Sequence, residues 1–122
     1  MRDLQKINLD YTTKYGKTTS VELSYQVFGK PLHEAPIVMI NHALTGNSNV
    51  TGKDGWWSPI VGSNKVIDTN VFTIVAFNIP GNGFDQSSNS LIENYKDFTA
   101  RDIAEIFAIA LDQLKINSLF AV

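Results

Sequence analysis

The residues best suited to chemistry stand in the run Asn41-His42-Ala43-Leu44-Thr45-Gly46. A loop whose backbone must come close to a ligand needs small side chains and a glycine. Ala43, Thr45 and Gly46 meet that need and are the candidate substrate-binding residues. His42 is the tempting base or ligand. A metal site would need two or three further His, Cys or carboxylate groups nearby, and no such cluster is present, so no metal is expected. The structural role for His42 is to brace the loop through hydrogen bonds from its ring nitrogens. A serine nucleophile of the acyl-transfer type sits within Gly-x-Ser-x-Gly on a sharp strand-to-helix turn. Ser48, Ser58, Ser63, Ser87, Ser88 and Ser90 all fail to complete that pattern. Gly81-Asn82-Gly83 looks like the front of a phosphate-cradling loop, but Gln86 stands where the third glycine of a dinucleotide fingerprint belongs.

These residues need elements to hold them. Ile37-Val38-Met39-Ile40 is a short apolar run, too short for a helix and long enough for a buried strand, here predicted over 36–41. Pro36 before it is tolerated at a strand's first position. In an open parallel sheet, ligands bind beyond the carboxyl ends of the strands, which is where Asn41 to Gly46 falls. Upstream, Ile7, Leu9 and Tyr11 alternate with polar residues, as do Val21, Leu23, Tyr25 and Val27. That period of two predicts strands over 5–13 and 20–28, joined as an antiparallel hairpin through Gly16.

Downstream, a short helix is predicted over 56–62, with Asp54 as its N-cap and Pro59 inside it. Of the adjacent Trp56 and Trp57, one is expected on the sheet and the other in a pocket wall. Val71 to Phe77 is apolar on both faces and predicts a central strand covered by helices on both sides. Phe84 to Phe98 reads as a long polar loop. Thr99 and Asp102 form a capping-box variant before a stripe of Ile103, Ile106, Phe107, Ala110, Leu111 and Leu114. A helix is predicted over 99–114, burying Ile103, Phe107, Ala110 and Leu111, and a last strand over 118–122.

The order gives an α/β fold, an antiparallel hairpin followed by parallel β-α-β units with right-handed crossovers. The 122 residues make one small domain. A formal net charge of −2 offers no electrostatic case for nucleic acid or an anionic membrane. No apolar run approaches a membrane span, and the absence of cysteine excludes disulfides and thiolate chemistry. A soluble cytoplasmic protein is expected, with no membrane or nucleic-acid partner.

The blocks His42-Ala43-Leu44-Thr45-Gly46, Gly55-Trp56-Trp57, Ile67-Asp68-Thr69, Arg101-Asp102-Ile103 and Leu119-Phe120-Ala121-Val122 resemble, in order, the homoserine O-acetyltransferase branch of the α/β-hydrolase fold. The resemblance implies the N-terminal part of such an enzyme, ending just before the nucleophile elbow, with the triad outside these residues. It implies that the backbone N–H of Leu44 is an oxyanion-hole donor, from the loop after the third strand. It argues against His42 as base, because that residue comes late in this fold. The implied substrates are homoserine and acetyl-CoA, the latter a co-substrate, with no bound cofactor; succinyl-CoA as donor and serine as acceptor stay open beside them. The implied assembly is a homo-oligomer, a dimer. An esterase of the same fold, or a non-catalytic fragment, are the competing readings. Alone, the fragment is expected to be inactive and to associate through an unpaired edge at Leu119–Val122.

Overall fold

The computed structural model describes residues 4–86 and 98–122. Ser87, Ser88, Ser90 and most of the predicted polar loop lie outside the described residues. Strands β1 (Gln5–Thr12) and β2 (Thr18–Gly29) form the expected antiparallel hairpin, with Gly16 in the left-handed region at its turn. β3 (Ile37–Met39), β4 (Val61–Gly62), β5 (Ile67–Asp68) and β6 (Thr73–Phe77) follow, then helix α1 (Ala100–Gln113). The main sheet runs β1-β2-β6-β3. β6 pairs antiparallel with β2 and parallel with β3.

The period of two on β3 and β6 builds two cores. Ile37, Met39, Val75 and Phe77 face α1 and the hairpin, where Phe77 and Phe107 stack with centroids 5.1 Å apart. Val38, Ile40, Ile74 and Ala76 face Val50 and Val61 on the other side. A strand apolar on both faces requires cover on both, and β6 has it. Among the described residues only one cover is a helix. The other is the irregular segment 48–61.

The helix predicted over 56–62 does not form. Gly52 and Asp54 adopt positive φ, and Pro59 has no N–H to continue a helical ladder. A single turn forms instead, with Ile60 N–H and Val61 N–H both donating to Trp57 O, before the chain enters β4. The first crossover therefore carries the two-residue β4–β5 ladder in place of a helix. The two tryptophans also differ from expectation. They stack on each other, centroids 5.7 Å apart at 15°, and both stay exposed. Trp57 lines a cavity of about 620 Å³, whereas Trp56 does not pack on the sheet but donates from Nε1 to Asn47 O at 2.8 Å.

Helix α1 starts as predicted, with both halves of the Thr99–Asp102 capping box made. Its deepest residues are Asp102, Ile106, Phe107 and Ala110, while Ile103 and Leu111 pack only half-buried at the flanks of the same core. The stripe is rotated slightly from the expected one, with Asp102 buried where it accepts from the Tyr11 hydroxyl at 2.6 Å. The predicted strand over 118–122 is reduced to one parallel bridge, Val38 to Ala121. Met39 N–H donates to Ala121 O and Phe120 N–H to Ile37 O, so this segment joins the outer side of β3.

Candidate active-site loop

Ala43, Leu44, Thr45 and Gly46 are brought together in one tight turn beyond the carboxyl end of β3. Gly46 N–H donates to Ala43 O at 2.8 Å, which places Leu44 and Thr45 at the two corners. Neither corner residue has positive φ, the geometry of a type I turn. The Leu44 side chain is 85% exposed, so Leu44 is not a core residue that happens to lie in a loop. Its N–H donates to no described residue and remains available at the surface of the turn.

Five hydrogen bonds fix this turn. Ile79 N–H donates to His42 Nε2 at 3.0 Å. Acceptance at Nε2 puts the ring proton on Nδ1, which donates to Ala43 O at 2.6 Å. His42 is thus the brace expected from the sequence, with both nitrogens engaged. Gly46 packs so closely on it that an added Cβ would stand 3.0 Å from His42 Cβ. At the far end, Ser48 N–H donates to Asn78 Oδ1 at 2.8 Å. Trp56 Nε1 holds Asn47 O, and Asn82 Nδ2 reaches Gly46 O at 3.4 Å.

Behind the turn lies a buried polar cluster that sequence reasoning missed. Ser24, Gln26, Ser48 and Asn78 are all buried. Ser48 Oγ donates to Gln26 Oε1 at 2.7 Å and accepts from Asn78 Nδ2 at 2.9 Å. Ser24 and Gln26 sit on the polar side of the hairpin's alternation, which reads as solvent-facing. They are buried because segment 48–61 covers that face. The available signal was a short polar residue, Asn78, directly after an apolar strand. Asn82 lies in a tight turn with Gly81 and Gly83 at positive φ, a brace for the 43–46 turn instead of the front of a phosphate loop.

Among the described residues no group of His, Cys, Asp or Glu could hold a metal ion. No helix of the described residues is long and apolar enough to cross a membrane.

A family model described as the alpha/beta hydrolase fold matches residues 36–122. The chain belongs to the α/β-hydrolase fold family. The homoserine O-acetyltransferase of Methanosarcina acetivorans is 28% identical across 96% of this chain and 25% of its own length. The solved homoserine O-acetyltransferase from Staphylococcus aureus is 27% identical and superposes with a TM-score of 0.70, covering 91% of this chain and 35% of that one. The structure of esterase E22 superposes at 0.81 with 23% identity, over 98% of this chain and 39% of that one, a likeness of fold. The chain spans about a quarter to a third of the length of the curated relatives it matches.

Proposed function

We propose that these residues form the N-terminal part of a cytoplasmic serine acyltransferase that moves an acetyl group from acetyl-CoA to the hydroxyl of homoserine. The observation that carries the reading is the braced turn Ala43–Gly46, with an unengaged Leu44 N–H at the carboxyl end of β3. The likeness to homoserine O-acetyltransferases supports the choice of reaction.

In this reading a serine of the longer protein attacks the thioester carbonyl, and the negative charge that develops on its oxygen meets the Leu44 N–H. A rigid donor is worth most when it is aimed where charge develops, because it need not reorganise during the step. Collapse of the tetrahedral intermediate releases the CoA thiol and leaves an acetyl-serine. The homoserine hydroxyl then attacks, passes through a second oxyanion in the same hole, and leaves as the acetyl ester. Ala43, Thr45 and Gly46 form the wall beside the reacting carbonyl, where small residues let the substrate approach the backbone. The covalent intermediate predicts ping-pong kinetics. These 122 residues alone contain no Gly-x-Ser-x-Gly and are expected to turn nothing over by this route.

The test is acetyl transfer by the full-length protein, with homoserine, serine and water compared as acceptors. Homoserine is expected to accept fastest, with parallel double-reciprocal lines. Transfer to none of the three would sink the reading, and water outpacing both alcohols would replace it with an esterase.

A further inference from the structure

We propose that Asn78, assisted by Asn82, is the positioning residue that sets the aim of the Leu44 amide. The inference rests on the reading of Leu44 as an oxyanion donor.

The Asn78 side chain is 2% exposed and uses its whole hydrogen-bonding capacity. Oδ1 accepts from Ser48 N–H at 2.8 Å and from Asn82 Nδ2 at 3.1 Å. Nδ2 donates to Ser24 Oγ at 2.8 Å and to Ser48 Oγ at 2.9 Å. A carboxamide has two donors and two good acceptor sites, so nothing is left over. Only one orientation of the amide works, because a flip would face Nδ2 against the Ser48 N–H. A buried network with every member satisfied rigidifies its surroundings, whereas a partly satisfied one is costly. Asn78 is therefore a clamp with a single setting.

Its location gives the clamp a purpose. The turn 43–46 stands on two feet, and both rest on the segment that leaves β6. The leading foot is His42, held by Ile79 N–H. The trailing foot is Ser48, held by Asn78, with Asn82 closing the gap to Gly46 O. Residues 78–82 thus act as one platform, and Leu44 at the top of the turn can tilt only if a foot slips. Burial alone does not call for this arrangement. Asn82 is exposed, yet its Nδ2 runs into both the clamp and the turn, while its Oδ1 accepts from Phe84 N–H at 3.1 Å.

Asn78→Ala strands the buried Ser48 N–H and lowers stability, so the decisive variants are at Asn82, in the full-length protein. The readout is the burst rate of enzyme acetylation by p-nitrophenyl acetate, which needs the oxyanion hole whatever the final acceptor. Displacing a catalytic group by a fraction of an ångström to about 1 Å costs up to about 100-fold. Asn82→Ala and the near-isosteric Asn82→Asp, which lacks the Nδ2 donor, are expected to slow the burst about tenfold. KM should stay within about twofold and the melting temperature within about 2 °C, a pattern that a merely structural role would not produce. Burst rates equal to wild type in both variants would overturn the proposal and leave the Leu44 reading standing. Absence of p-nitrophenol release by the wild type, in burst and in steady state alike, would overturn the Leu44 reading, and the clamp with it.

Discussion

Single residues around the turn differ sharply in what they tolerate. Gly55 is the tightest, since a Cβ there would meet Thr51 Cα at 2.4 Å, a distance real Cβ atoms do not adopt. The obstacle is backbone, which cannot swing aside as a long side chain could. Gly55→Ala is expected to destabilise by about 1 to 3 kcal/mol, the usual cost of overpacking, measured by chemical denaturation. An unchanged midpoint would mean that Thr51 shifts freely. His42 has a different kind of constraint, because its role is geometric. His42→Ala removes both braces of the turn and is expected to slow acetylation without moving the pH profile of the rate. A lost acid limb would instead mark it as a general base. The role of His42 was legible in the sequence because it depends on local features, a histidine opening a glycine-ended loop after a strand. Asn78 was not, since its partners Ser24 and Ser48 lie 54 and 30 residues away.

Among the elements, α1 shows where local and distant information part. The capping box could be read from Thr99 and Asp102 because both partners lie within one turn. The second partner of Asp102 could not. Tyr11 Oη lies 2.6 Å from Asp102 Oδ1 and equally from Glu105 Oε2, across 91 and 94 residues. A phenol has one proton, so the two carboxylates share one donor. The Thr99 N–H and the Tyr11 hydroxyl hold the Asp102 carboxyl below its ordinary pKa of 3.8. A depressed carboxylate pKa adds stability that is complete above the unfolded value and lost as pH falls through the folded one. Melting temperature should therefore fall below about pH 4, and Asp102→Asn should flatten that acid limb. An identical limb in the variant would assign it to other carboxylates. Thr99→Ala is expected to cost about 1 kcal/mol through loss of the cap. The failed helix over 56–62 has the opposite lesson. Asp54 suited an N-cap by type, but its positive φ, next to Gly52 and followed by Pro59, makes a series of turns. Residue types alone did not reveal that backbone.

At the scale of the whole molecule the hairpin, β3, β6 and α1 were readable in chain order from apolar runs and turn residues, whereas the short β4 and β5 and the order β1-β2-β6-β3 within the sheet were not. Nor do those signals supply the covering of the outer sheet face. The segment at Leu119–Val122 joins β3 by one bridge and leaves Phe120 68% and Val122 78% exposed. They line the cavity of about 620 Å³ together with Val38, Trp57, Val66 and Phe72. Exposed apolar surface beside an open strand edge favours association. The 122 residues expressed alone are expected to self-associate in sedimentation, and a monodisperse, cooperatively folding monomer would contradict that expectation.

The proposed oxyanion hole depends on one backbone N–H of this chain, and a proline can delete it. Leu44 occupies the first corner of a type I turn, the position where proline is favoured, so Leu44→Pro removes the donor while keeping the turn. The measurement is the acetylation rate of the full-length protein by acetyl-CoA, followed by intact mass in the absence of acceptor. Losing an oxyanion donor costs about 100- to 1000-fold, and that loss is predicted here with the melting temperature retained. An acetylation rate within about twofold of wild type would place the oxyanion hole elsewhere and contradict the account.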